Sequence, residues 1–330
     1  MKNPDYKKIP LVFNVYKPVG PSSFEIVQHF KRNLGYDFGK IGHFGTLDPF
    51  AEGVLLIGVQ GAQKLNNYIH ELLPKSYRAV GVFGGKTDTG DFTSNVTTQK
   101  DIALEFQNMS LEDLEVKLKN HFLGEYWQSP HSFSASKFEG KRLYEHAVAG
   151  RMIQKEKVKR EILDFKILNY KYPEMELAVT VSSGTYVRSL FEEISELLDG
   201  VGALKILERT AIGENLSNEA IKENAWPLKG QEFDLEKWGK PLDQVLCLNK
   251  VLLSKDQTTR HLLGHRFKLD EITVTYQTDQ SIISTLEILW VYNQDGHLLG
   301  PARAADGELQ SLFNLKEAIA LFTDYVAPKQ

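Results

Sequence analysis

Hydrophobic positions along this chain change period several times, and each change marks an element. Leu11 to Val15 is a short apolar run, so a strand is expected there. Ser22 and Glu25 have the spacing of a capping box, and Ile26, Val27, Phe30 and Leu34 follow at helical spacing until Gly35 stops them. Gly53 to Val59 is continuously apolar, the mark of a buried strand. Ala62 to Leu72 reads as helical and Ser76 to Phe83 as extended. Ser110 opens another capped helix, with Leu111, Leu114, Leu118 and Phe122 on one face. Ile162 to Tyr170 and Glu176 to Val181 predict paired strands turning near Pro173, and Val187 to Leu198 a helix with Leu190, Ile194 and Leu197 inward.

From Ala225 to Pro241 the breakers Trp226-Pro227, Lys229-Gly230 and Gly239-Lys240-Pro241 predict a domain boundary. Beyond it, Thr285 to Tyr292 and His297 to Pro301 flank Asp295-Gly296, a hairpin signal. A helix is expected near Leu315 to Phe322. The division is therefore a first domain over 1–240 and a smaller one over 241–330.

Composition narrows the class. A length of 330 residues suits two domains, and 42% hydrophobic with 25% charged residues is ordinary for a soluble globular chain. No stretch approaches the ~18 consecutive apolar residues of a membrane span. The opening MKNPDYKKIP lacks the apolar core of a secretory signal, so the cytoplasm is the expected location and no membrane partner is expected. Cys247 is the one cysteine, which excludes an internal disulfide and any multi-cysteine zinc site. Its apolar neighbours predict a core position. Net charge is −4, yet Lys137, Lys141, Arg142, Arg151, Lys155, Lys157, Lys159 and Arg160 concentrate positive charge in one stretch. That run reads either as a solvated face or as a track for a phosphate backbone.

Three segments could carry chemistry. Gly42 to Leu55 sets Asp48-Pro49 among glycines just before the apolar run, where a carboxylate can be held in a cleft or can simply cap a turn. Lys75 to Asp91 contains Gly85-Lys86-Thr87, but Val80 stands where a P-loop needs its first glycine, and a turn follows where a helix is required, so a P-loop is rejected. Ser182 to Leu190 leads from a strand through Gly184 to Arg188, whose guanidinium suits bidentate pairing with a carboxylate and is otherwise a surface group. The histidines, including His261 and His265, form no metal pattern.

In this order and at these separations the motifs resemble the bacterial tRNA pseudouridine-55 synthases, the TruB family. The likeness runs through Tyr16-Lys17-Pro18-Val19-Gly20-Pro21-Ser22-Ser23, Gly42-His43, Gly45-Thr46-Leu47-Asp48-Pro49, Lys75-Ser76-Tyr77-Arg78 and Thr87-Asp88-Thr89. It continues through Ser134-Ala135 with Lys137, Gly140 and Leu143-Tyr144, then Gly184-Thr185-Tyr186-Val187-Arg188-Ser189, Gly202-Ala203 and Leu207-Glu208-Arg209-Thr210. Residues 11 to 215 are covered well and the tail more faintly.

The resemblance implies an α+β fold: a mixed, largely antiparallel sheet flanked by helices, plus a small C-terminal β-rich, PUA-like domain that contacts RNA. It implies Asp48 as catalytic carboxylate, Tyr77 as the ring stacking on the target base, and Arg188 as partner of the aspartate. His43 would help displace the target nucleotide, and Lys17, Pro18, Lys137 and Tyr186 would line the substrate site. A stretch of about 125–160 would grip the tRNA. The implied reaction converts one uridine of the TΨC stem-loop to pseudouridine after base flipping, with no cofactor and no metal, by a monomer. Asp48 would either attack the ribose or remove a ribose proton, and Arg188 would favour its ionised form.

Several positions depart from the family pattern. Phe133 lacks a hydroxyl usual there, Phe44 replaces a common threonine, Glu52 stands where threonine is frequent, and Val181 where cysteine is frequent. Two other classes compete: an RNA-binding protein without catalysis, and a C5 uridine methyltransferase, which would need a reactive cysteine that Cys247 does not resemble.

Overall fold

Strand β1 (Leu11–Lys17) is buried everywhere but at Tyr16, and the turn after it leads into helix α1 (Ser23–Leu34). The computed structural model describes residues 9–34, 38–129, 131, 137–151, 156–275 and 288–315. The predicted capping box forms: Glu25 N donates to Ser22 Oγ at 3.3 Å, and Ser22 N donates to Glu25 Oε2 at 2.7 Å. Gly35, the expected stop, lies outside the described residues.

Strand β2 (Glu52–Val59) runs antiparallel to β1, and its far end takes the short strand Gly42–His43. Its continuous apolar character has a plain cause, because both faces of this pair are covered. Phe13, Val15, Leu55 and Ile57 pack toward α1 with Ile26 and Phe30, whereas Val12, Val54 and Leu56 share a core with the C-terminal sheet.

The helix expected over 62–72 is divided into a 3-10 turn, Ala62–Leu65, and helix α2 (Asn66–Leu72). Asn66 and Asn67 favour caps over helix interiors, so the first turn closes on the tighter bond from Lys64 N to Gly61 O. Strand β3 (Lys75–Thr87) outruns the predicted segment because its end pairs with Val96–Lys100, Gly84 opposite Lys100. Gly84-Gly85-Lys86 is thus sheet, in keeping with rejection of a P-loop.

Helix α3 (Leu111–Phe122) starts at Ser110, whose hydroxyl accepts from Asp113 N, and buries Leu114, Leu118 and Phe122. Strands β4 (Gly124–Gln128), β5 (Val158–Lys171) and β6 (Glu174–Val181) follow, with the predicted turn at Pro173 between the last two. Helix α4 (Val187–Leu197) turns Leu190, Phe191 and Ile194 inward, and Leu198 after it is buried. Leu197 packs against the same core but is only half-buried, at the edge of the stripe through 187, 190, 191, 194 and 198.

Strand β7 (Gly202–Ile212) and the short β8 (Gly239–Pro241) complete a sheet ordered β8-β1-β2-β7-β3-β6-β5-β4. Its neighbours are antiparallel except β2 with β7. The sheet is therefore mixed and largely antiparallel, as the resemblance implied.

The tail folds as β9 (Lys250–Leu253), α5 (Lys255–Leu262), β10 (Phe267–Lys268), β11 (Thr273–Thr275), β12 (Ile288–Asn293), β13 (Leu298–Ala305) and β14 (Glu308–Ser311). Its sheet runs β10-β14-β13-β12-β9-β11, and β12 and β13 form the hairpin signalled by Asp295-Gly296. Residues 285–287 of the predicted strand, and the predicted helix beyond Leu315, lie outside the described residues. Cys247 is half-buried and not a core residue, because its neighbours Leu246 and Leu248 take the buried positions.

Candidate active site

Asp48 sits on a loop whose backbone is held by three buried side chains from distant parts of the chain. Lys17 Nζ, at the end of β1, donates to the carbonyls of Ala51 at 2.6 Å, Pro18 at 2.9 Å and Pro49 at 3.3 Å. Ser23, at the start of α1, accepts from Leu47 N at 2.8 Å and donates to Leu47 O at 3.0 Å. Arg209 of β7 donates to the carbonyls of Val54 at 2.7 Å, Gly45 at 3.2 Å and Thr46 at 3.3 Å. Between them these side chains bond backbone groups of the irregular loop, the Leu47 N–H and carbonyl and the carbonyls of Gly45, Thr46 and Ala51 among them. Gly53 permits this crossing: its φ is +109°, and a Cβ there would collide with the Arg209 backbone.

Arg188, the second residue of α4, closes the other side. Its Nη2 is 2.9 Å from Asp48 Oδ2, its Nη1 is 3.6 Å from Asp91 Oδ2, and Nη1 also donates to the Thr89 carbonyl. The guanidinium is almost fully buried, whereas a third of the Asp48 side chain is exposed at 33%. Asp91 is in turn held by Thr93 N, which donates to Oδ1 at 2.9 Å. Two carboxylates from separate loops therefore share one cation.

The electrostatics differ from the expectation that Arg188 keeps Asp48 ionised. Burial raises the Asp48 carboxyl, Arg188 lowers it, Asp91 raises it again, and the net displacement is upward from the usual carboxylate value. The Arg188 effect has the expected sign, but desolvation exceeds it. Lys17 moves the opposite way: burial pushes its ammonium down to about 8, against the pull of Asp48.

Tyr77, in β3 opposite Val179 and Arg209, is buried in the same apolar cluster as Leu47 and Val187, the neighbours of Asp48 and Arg188. The structure thus gathers Lys17, Pro18, Asp48, Tyr77 and Arg188 around one locus. His43 is half-buried on the short strand against Ile57. Tyr186 stands at the N-cap of α4. Lys137 lies in a two-residue strand paired with Arg142, and its side chain is outside the described set, as are Ser134, Ala135 and Phe133.

The other departures have packing explanations. The Phe44 ring is fully buried over Gly58, where a Cβ would come within 2.6 Å of Cζ. Glu52 lies against the Tyr16 hydroxyl, which burial and this carboxylate both raise. Val181 is fully buried core.

The sequence motifs include Ser23 and Arg209 without a role and say nothing of Asp91 or Gln128 as site residues. Asp91 was legible only as part of a turn. Gln128 is buried at the end of β4, and its amide bonds the Tyr186 backbone two residues before Arg188.

Comparison with known proteins supplies the family. Residues 31–187 match the family model for TruB family pseudouridylate synthase, N-terminal domain. A protein of Burkholderia pseudomallei named tRNA pseudouridine synthase B is 34% identical over 296 residues, 89% of this chain and 92% of the relative. One of Psychrobacter arcticus with the same name is 35% identical over 287 residues, 84% of this chain and 72% of that one. The chain belongs to the TruB family. A solved structure of an H/ACA RNP bound to a substrate RNA containing 2'-deoxyuridine matches this TruB-family fold with a TM-score of 0.65. That match covers 94% of this chain and 86% of the other at 18% identity, a likeness of fold.

In this TruB-family chain the basic stretch is not uniformly free. Lys159 pairs with Glu125 across β4 and β5, and Arg160 lies over Gly184. Lys155 falls outside the described residues. No described helix is long and apolar enough to cross a membrane.

Proposed function

We propose that this protein isomerises uridine to pseudouridine in the TΨC stem-loop of tRNA, at position 55, with Asp48 as its catalytic carboxylate. The observation that carries the reading is the ion pair of Asp48 with buried Arg188, whose chain neighbours Leu47 and Val187 share an apolar cluster with Tyr77, in a chain of the TruB family. The names of the relatives supply the RNA class.

The reaction breaks the bond from C1' to N1, turns the uracil, and joins C1' to C5, with loss of the C5 proton and gain of one at N1. One positioned carboxylate suits either route, attack on C1' or removal of a ribose proton. Arg188 orients Asp48 by a direct charge-assisted bond. Lys17, Ser23 and Arg209 fix the loop so that little reorganisation remains when the substrate arrives. Tyr77 offers its ring to the flipped base, His43 helps displace the nucleotide, and Pro18, Tyr186 and Lys137 line the site.

The residues over 1–240 form the catalytic part, with the RNA-gripping insertion at about 125–160. Those over 241–330 form the small RNA-contacting domain, a division supported by its separate sheet. The enzyme acts as a monomer in the cytoplasm.

Tritium release from C5-tritiated uridine in an unmodified tRNA transcript tests the reading. Release by wild type and none by Asp48→Asn is expected. Release by neither, with tight tRNA binding by both, returns the case to a binding protein without catalysis.

A further inference from the structure

The turn between β6 and α4 carries a cationic cluster that the chemistry above does not use. The Ser183 hydroxyl lies 2.6 Å from His70 Nδ1 and accepts from Lys75 Nζ at 3.2 Å. Lys75 Nζ also donates to the carbonyls of His70 and Leu73, each at 3.1 Å. On the other side of the turn, the Arg160 guanidinium covers Gly184: a Cβ there would be 2.9 Å from Nη2 and 3.1 Å from Cζ. Arg160 donates to the Lys159 carbonyl at 3.1 Å, and among the described residues neither Arg160 nor Lys75 has an ion-pair partner.

The charge is unbalanced. Lys75 is only 5% exposed, and burial together with Arg209 pushes its ammonium down to about 7. Burial also lowers His70, followed by Lys75, Arg160 and Arg209. Every charge that acts on these two groups is positive. Cations drawn together with neutral acceptors alone lack the counter-charge that ordinarily compensates burial.

Its position ties the cluster to the substrate. Lys75 Cε and Arg209 Nη1 lie 3.8 and 3.9 Å from where a Gly45 Cβ would stand, just behind the loop of Asp48. Gly184 lies four residues before Arg188, in the turn that leads into α4.

We propose that His70, Ser183 and Arg160, seated on buried Lys75, bind a backbone phosphate of the RNA strand next to the nucleotide held at Asp48. The inference rests on the functional reading above. A phosphate supplies acceptor oxygens to groups that can all donate: the Arg160 fork, His70, and the Ser183 hydroxyl, which can turn its hydrogen outward because Lys75 donates to its oxygen. With the anion present His70 takes up a proton and donates from Nδ1 to Ser183.

Arg160→Gln and His70→Gln in the full chain test it, each checked by thermal melting so that one folded variant suffices. Filter binding of unmodified tRNA transcript across a salt series should show a slope of log K against log salt shallower by about one unit for Arg160→Gln. KM for RNA should rise several-fold more than kcat falls. In stem-loops with single neutral methylphosphonate linkages around the target uridine, one linkage should weaken wild type several-fold and leave Arg160→Gln unaffected. Wild-type slopes in the folded variants, with every linkage weakening wild type and variant alike, would overturn the site. So would stabilisation by inorganic phosphate with no linkage effect, which marks a free-anion site. Absent tritium release by wild type defeats the functional reading instead, and the salt slopes still decide the phosphate site.

Discussion

Both polar atoms of the Gln128 side chain bond the backbone of Tyr186: Tyr186 N donates to Oε1 at 2.7 Å, and Nε2 donates to Tyr186 O at 3.0 Å. Strand β4 is thereby fastened to the N-cap of the helix that carries Arg188. Tyr126 adds a second tie, its hydroxyl donating to Glu193 Oε2 at 2.6 Å.

Gln128→Leu keeps much of the volume and leaves the Tyr186 N–H without its acceptor. Loss of such a bond costs about 1–3 kcal/mol, read as a lower midpoint in denaturant unfolding. Because the tie sets the start of α4, kcat should fall more than KM rises. Unchanged kcat with reduced stability would confine Gln128 to a structural role.

Asp48 predicts a pH-dependent stability difference. Its folded pKa is raised, so between the ordinary value and the folded one the native state binds more protons, and stability falls as pH rises through that window. Above that window the native state carries the full penalty, so Asp48→Asn should melt higher there than wild type, by on the order of 2 °C. The gain should shrink as pH falls toward the ordinary carboxylate value, which calorimetry at several pH values would show.

Asp91 pushes Asp48 upward, so Asp91→Asn should move the acidic limb of the kcat–pH profile to lower pH. An unmoved limb would mean that the two carboxylates do not communicate through Arg188 in the substrate complex.

His261 of α5 is 1% exposed, and neither ring nitrogen meets a hydrogen-bond partner among the described residues. Burial pushes it down to about 4. The unfolded chain takes up this proton below about 6.5 while the folded chain does not, so stability is lost as pH falls from there toward 4. The loss reaches roughly 3 kcal/mol at the lower end. His261→Phe should flatten that part of the acid-stability curve in urea titrations at pH 4 to 7.

The Phe44 ring occupies space that Gly58 leaves open, and Ala62 Cβ also stands 3.0 Å from a Gly58 Cβ. Gly58→Ala should cost about 1–3 kcal/mol through overpacking. Phe44→Leu opens room, so in a double-mutant cycle the pair should cost less than the sum of the single changes, by on the order of 1 kcal/mol.

What the sequence by itself determined follows from interactions within a few residues. The Ser22–Glu25 capping box, the Ser110 cap, the turn at Pro173 and the buried run at 53–59 are local patterns, and each appears where its pattern lies. Asp48 and Arg188 stand out as candidates by their local setting, and the family resemblance assigns their roles and adds Tyr77; the fold brings Asp48 and Arg188 into one ion pair. Only the tertiary structure decided the rest. Asp91 meets Arg188, Arg209 reaches the Gly45–Thr46 carbonyls, and Gln128 finds Tyr186 through pairings between strands far apart in sequence, which no local spacing encodes. The sign of the Asp48 displacement belongs there too. Arg188 alone predicts a lowered carboxyl, but desolvation is a sum over everything that packs around it, and that sum exists only once the chain has folded.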